Sequence, residues 1–309
     1  MLNYIISRLF SAFFVVLGVI ILVFLLIHLI PGDPVEIMLG ESARPADRDL
    51  LRAALGLDLP IHIQLWNYLS GLFTLDLGTS IHSHRPITSI LVERIPATAQ
   101  LALFSLLIAI IIAVPLGILA AVKKGSAWDH LSMGVSLLGL SIPNFWMGPI
   151  LILVFSLWLG LFPVSGKDGF LSLILPALTL GTAMAAILAR MIRSTMLEIL
   201  HEDYIRTARA KGLSETVVVT RHALSNALLP VITILGLQLG TLLGGAVITE
   251  TVFSWPGIGQ LTIDAIKSRD YPVVQACVLL ISLSYVIVNI CTDIVYAAID
   301  PRIRIGDEN

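Results

Sequence analysis

At 309 residues, 57% of them hydrophobic and only 13% charged, the chain lies far from the roughly 45–50% apolar and about 25% charged composition of a soluble domain. A mean hydropathy of +0.93 and uncharged runs longer than the ~18 residues of a membrane-spanning helix make lipid the main solvent. The 19 basic and 21 acidic side chains leave a net charge of −2, so no basic surface points to nucleic acid.

The first uncharged run, Leu9–Ile30, exceeds the ~7–15 residues of a signal-peptide core, and Pro31-Gly32-Asp33-Pro34 after it offers no small-residue cleavage site. It reads as a retained anchor. The Pro31–Pro96 connection that follows has an amphipathic stretch around Asp47–Leu55 and an aromatic-bearing one around Leu65–Phe73. Its His82-Ser83-His84 is a histidine pair with no third metal ligand nearby. After the second run, Ala97–Val122, the third, Leu131–Phe162, would measure ~48 Å as one straight helix against a ~30 Å hydrocarbon core. Pro143-Asn144 and Pro149 lie inside it, so a tilt, kink or break is expected near Asn144. Backbone groups freed there would either face a polar pathway or be satisfied by neighbouring helices.

The fourth run is Phe170–Ala189, and the connection after it, Arg190–His222, reads as helix. Glu202 and Arg206 stand at i,i+4 with the acid first, Ala208 and Ala210 are good helix formers, and Gly212 supplies a stop. A second short helical piece, Ser214–Asn226, leads to Pro230. A helix–Gly–helix outside the bilayer suits docking to a soluble partner as well as a solvated connector. The fifth run, Ala223–Thr249, carries Gly236, Gly240 and Gly244 every fourth residue, a stripe for close helix packing, with Gln238 at mid-span. The sixth, Tyr271–Thr292, holds Cys277 and Cys291, ~21 Å apart along a helix and beyond the ~7 Å Cα separation of a disulfide. The remaining polar groups at membrane depth are His28, Asn289 and Asp293; His28 and Asp293 lie near span ends, from which they can reach the interface.

Six spans put both termini on one side. Arg8, Lys123, Lys124, Arg190, Arg193, Arg206, Arg209, Lys211, Arg221, Arg302 and Arg304 gather there, against Lys167, Lys267 and Arg269 in the short loops opposite. The termini and the Arg190–His222 connection are therefore expected in the cytoplasm. No zinc-protease, serine-elbow, paired-cysteine or phosphate-loop motif occurs. A membrane enzyme would need a reactive set, and a secondary transporter an inverted repeat with a charged midplane site; neither is evident.

The run Glu202-Asp203-Tyr204-Ile205-Arg206-Thr207-Ala208-Arg209-Ala210-Lys211-Gly212-Leu213-Ser214, followed by Arg221-His222-Ala223-Leu224 and Asn226-Ala227-Leu228-Leu229-Pro230, resembles the cytoplasmic loop of the DppB/OppB-type permeases. These are inner-membrane subunits of ABC importers for peptides, glutathione or nickel. Supporting blocks run in order through nearly the whole chain: PGDP at 31–34, LGLD at 55–58, DLG at 76–78, RIPAT at 94–98, PLGILAA at 115–121, IPNFW at 142–146, LFPVSG at 161–166, ETVFSWPGIG at 250–259, RDYPVVQA at 269–276 and AAIDPRIR at 297–304. Where the generic importer loop has Glu-Ala-Ala six residues before its glycine, this chain has Arg206-Thr207-Ala208, a departure that fits the peptide branch.

The resemblance implies an all-α integral membrane protein with the six helices of the type I ABC importer permease fold. Residues 1–95 would be the first helix plus the external segment, 96–298 the five-helix core with its coupling loop at 190–222, and 299–309 a cytoplasmic tail. It implies a multi-pass protein of the bacterial inner membrane. The implied partners are a second homologous permease, two cytoplasmic ATPase subunits and an external solute-binding protein. ATP and magnesium would be bound by the ATPases, with no cofactor and no catalysis in this chain. Asp203, Tyr204, Ile205, Arg206, Thr207, Ala208, Arg209, Ala210, Lys211 and Gly212 would form the coupling helix that enters an ATPase cleft. Ser141, Asn144 and Gln238 are the candidates for the translocation pathway. Di- or oligopeptide is the first expectation for cargo, with glutathione second and nickel or a metal chelate third.

Overall fold

A computed structural model describes residues 2–29, 35, 39, 44–54 and 56–299. The Pro31–Pro34 block and residues 300–309, including Arg302 and Arg304, lie outside the described residues. So do the side-chain surroundings of Arg8, His28 and Gly244. Among the described residues the regular secondary structure is helical, with one isolated bridge between Thr79 and Pro86. That is the expected outcome where hydrocarbon offers no partner for an unpaired N–H or C=O.

Helix α1 is Leu2–Leu29. The long connection after it folds into α2, Pro45–Ala54, and α3, Ile61–Phe73, the two amphipathic stretches anticipated there. Helix α4, Ile87–Val122, begins ten residues before the uncharged run and reaches about 54 Å, carrying Pro96 and Pro115 inside it. The third run is broken rather than tilted. Helix α5, Ala127–Ser141, stops at Ile142-Pro143 and α6, Asn144–Leu151, leaves at 102° to it, running on as a π-helical turn, Ile152–Trp158. Pro143 cannot continue α5, and Pro149 removes a ladder N–H just before the π turn.

Helix α7, Leu171–Ile199, extends ten residues past the expected end of the fourth span. The short helix α8, Asp203–Ala210, follows. The expected separate piece Ser214–Asn226 is instead the base of one continuous rod: Glu215–Val217, a π-helical turn Val218–Ala223, and α9, Leu224–Gly245. Pro230 sits inside α9, where it removes one ladder N–H without ending the helix. The fifth run does not reach Thr249 as one helix; its end folds into α10, Val247–Val252, followed by α11, Ile258–Ser268. Helix α12, Tyr271–Ile299, completes the chain.

Among the described residues four helices are long and apolar enough to cross a membrane, five if α5 and α6 count as one span. The first expected span falls on α1, whose Phe10–Leu25 is a shorter apolar stretch. Helix α7 is the central mast: 67% of its apolar window is buried, against 33% for α4 and 22% for α12. Its most extensive packing is with α4, and small residues make it possible. A Cβ on Gly117 would meet Ile192 at 2.7 Å and one on Gly181 the Ser105 carbonyl at 2.9 Å, while Ala109, Ala113, Ala185 and Ala189 fill the seam. The anticipated stripe on α9 packs too, with Gly236 against Thr292 and Gly240 against Tyr285 of α12. Helix α5 is tied to α7 by a two-pronged ion pair, Arg193 Nε and Nη2 to Asp129 at 2.7 and 2.8 Å. Helix α1 joins α12 through Gln275, whose amide donates to the Val23 carbonyl at 2.8 Å.

Candidate functional site

The rod from Glu215 to Gly245 carries one candidate site at its base and a second partway along. At the base, α8 lies across the π-helical turn. Its eight residues bury only Ile205 and Ala208, which join a cluster with Val218, Val219 and Ala223. Asp203 in the first turn and Arg209 in the last complement the helix dipole. Gly212 then reverses the chain at φ +77°, the left-handed region where glycine has no Cβ penalty. Two polar staples fix the helix on the rod: Arg209 grips Glu215 through two bonds of 3.0 and 2.7 Å, and the Asn226 amide donates to Tyr204 Oη at 2.9 Å. The Glu215 hydrogen bond holds the Arg209 guanidinium above its ordinary pKa.

The structure therefore divides the expected coupling residues. Tyr204, Arg206, Thr207, Ala210 and Lys211 are exposed. Ala208 is 7% exposed and faces its own chain, so although expected in the coupling helix it offers no surface to a partner. Arg209 is engaged internally rather than free for a partner. Arg206 bonds Asp203 at 3.3 Å, one turn back, and the expected Glu202–Arg206 pair is absent because Glu202 has extended backbone ahead of the helix.

The second site is a cavity of about 230 Å³ where α5, α6, α7 and α9 meet. Asn144, at the start of α6, and Gln238, on α9, both line it with Thr241; the break in the third span puts Asn144 there. The Thr241 hydroxyl is spent on the Gln238 carbonyl at 2.8 Å. Ser141 is not brought to the cavity: it is exposed and its hydroxyl donates to the Leu137 carbonyl at 2.8 Å. No ionisable side chain is part of the lining.

At the opposite end of the bundle from α8, two buried acids escaped sequence reasoning. Glu250 on α10 is fully buried; it accepts from Thr98 Oγ1 at 2.7 Å and from Gln260 N at 3.0 Å. Burial pushes its carboxyl up, and the hydrogen bonds oppose that. Gly257 packs directly on the carboxylate, and Trp255 donates to the Ala97 carbonyl at 2.8 Å. Asp270 accepts from Ser80 Oγ at 2.6 Å and Ile81 N at 3.3 Å, and the His82 ring rests on the Ser268 carbonyl. His82 thus serves this turn, and among the described residues no cluster suited to a metal occurs. No local pattern marks Glu250, because its partner Thr98 lies 152 positions away in the sequence.

Residues 113–305 match the family described as "Binding-protein-dependent transport system inner membrane component", and residues 1–102 match "Binding-prot-dependent transport system membrane comp, N-term". The glutathione transport system permease protein GsiC of Salmonella typhimurium is 45% identical over 304 residues, 98% of this chain and 99% of the relative. Its counterpart in Escherichia coli K12 is 46% identical over the same share of each chain. Among solved structures, the inward-facing MetNI methionine ABC transporter aligns at TM-score 0.60 and 20% identity, covering 68% of this chain and 96% of the other. An amino acid ABC transporter with histidines aligns at 0.51 and 13% identity, covering 70% and 94%. Both structural likenesses concern the fold.

Proposed function

Since the chain belongs to the family of binding-protein-dependent transport system inner membrane components and is a permease subunit of an ABC importer, we propose that it forms half of a pathway for glutathione. Importers of this family combine permease, ATPase and solute-binding protein, and the hydrolysis of ATP lies in separate subunits. The observation that carries the cargo assignment is the likeness, over 98% of the chain, to permeases named for glutathione transport. That likeness favours glutathione over the di- and oligopeptides that come first on sequence motifs alone. Nickel ranks below both, because the cavity lining offers amides and a hydroxyl but no imidazole, thiolate or carboxylate.

The exposed face of α8, made by Tyr204, Arg206, Thr207, Ala210 and Lys211, would seat in an ATPase cleft. The seam to Val218 and Val219 and the Arg209–Glu215 fork support this role, since a held helix transmits displacement. Both termini would be cytoplasmic, as the Lys/Arg distribution predicts, and ATP with magnesium would stay on the ATPases.

Uptake of labelled glutathione into proteoliposomes that hold the assembled importer, with ATP inside and binding protein outside, tests the assignment. Accumulation that exceeds that of a neutral dipeptide supports glutathione. Accumulation of the dipeptide alone restores the peptide reading.

A further inference from the structure

The cavity between α6 and α9 has a chemistry more specific than a polar gap. Asn144 is half-buried at the first turn of α6 and Gln238 is half-buried on α9, and both face the same about 230 Å³. Among the described residues neither side-chain amide has a hydrogen-bond partner. Each offers two N–H donors and one carbonyl acceptor, and both are set against an apolar wall that includes Leu140, Leu180 and Met184. The volume corresponds to roughly eight waters at ~30 Å³ each, enough for a peptide unit with a short side chain.

A carboxylate or ammonium entering this space would leave water without meeting an opposite charge, which is costly. A peptide unit is different. Its N–H and C=O are the complements of a primary amide, and it carries no net charge to desolvate.

We propose that Asn144 and Gln238 form a neutral amide subsite that hydrogen-bonds uncharged peptide units of a short-peptide cargo as it crosses the permease. The inference rests on the permease reading and deepens it by naming the part of the cargo that this chain recognises. Glutathione, with two amide bonds between its charged ends, belongs to the class; a hydrated metal ion does not. The amides hold the cargo by its middle and leave its charged ends to other surfaces.

The test uses the complete importer in proteoliposomes, loaded with saturating binding protein, and two probes: a labelled tripeptide and its depsipeptide analogue, in which one amide N–H becomes an ester oxygen. The parental importer should carry the tripeptide about five-fold faster, the factor expected of one neutral hydrogen bond. In Asn144→Leu/Gln238→Met that preference should fall to near one while basal ATP hydrolysis persists. An unchanged preference in a variant that still binds its ATPases overturns the subsite. If the double variant does not assemble, Asn144→Asp and Gln238→Glu keep size and add charge. They should slow glutathione, which is anionic, several-fold more than a neutral dipeptide, and equal slowing overturns the subsite. Absence of any ATPase co-purifying with the parental chain would instead refute the permease reading, a failure read independently of the transport ratios.

Discussion

Gly212 ends α8 at φ +77° with nothing within 4 Å of where a Cβ would stand. A substitution there meets backbone strain alone. Gly212→Val should cost about 1–2 kcal/mol, seen as a lowered unfolding midpoint of the purified importer, and Gly212→Asn should cost less because Asn tolerates left-handed backbone. Ala208 and Ala210 behave oppositely although two residues apart. Ala208→Trp overfills the seam with Val218 and Val219, at about 1–3 kcal/mol, and should expose α8 to protease. Ala210→Trp leaves α8 seated and should abolish substrate-stimulated ATP hydrolysis by blocking the partner. Normal hydrolysis in Ala210→Trp, with ATPases bound, would show that this face is not the docking surface. The resemblance to importer loops marked all ten residues Asp203–Gly212 but could not separate their inner and outer faces, because the face is set by the rod that α8 packs on.

At the scale of elements, composition and proline placement revealed most of the helices. The break at Pro143-Asn144 was legible because a ~48 Å span cannot fit a ~30 Å core unbent. The buried acids were not legible. Glu250 finds Thr98 across 152 positions and Asp270 finds Ser80 across 190, and no local pattern encodes such partners. The α4–α7 seam was missed for a related reason: Gly117 and Gly181 lie on different helices and make no stripe within either. The Asp129–Arg193 fork that ties α5 to α7 has a side-chain exposure of 6% on the acid and 29% on the arginine. Arg193→Met should therefore destabilise by about 3 kcal/mol, through the stranded carboxylate. Asp129→Leu/Arg193→Met should recover most of that loss, as a double-mutant cycle on thermal unfolding would report.

For the whole molecule, sidedness is the property to measure. Ser214 and Ser83 are both exposed, beside α8 and in the loop against Asp270 respectively, at opposite ends of the bundle. In a chain lacking Cys277 and Cys291, a cysteine at Ser214 should react with an impermeant reagent only from the cytoplasmic face, and one at Ser83 only from outside. Reaction of both from one face would overturn the orientation drawn from the basic residues.

The rod that begins at Glu215 has a mechanical meaning. Val218 and Val219 bear α8, and Gln238, ~30 Å farther along the same helical axis, borders the cavity. On the proposed reading, a push delivered to α8 would act on the foot of a shaft whose shoulder borders that cavity. Helix α8 rests on the π-helical turn at that foot, where the rod departs from the α-helical ladder. The shaft is braced on one flank by α12 through Gly236 and Gly240. On that reading, the close fit of Thr292 and Tyr285 against the glycine backbone would resist sliding along the seam and favour rotation about it.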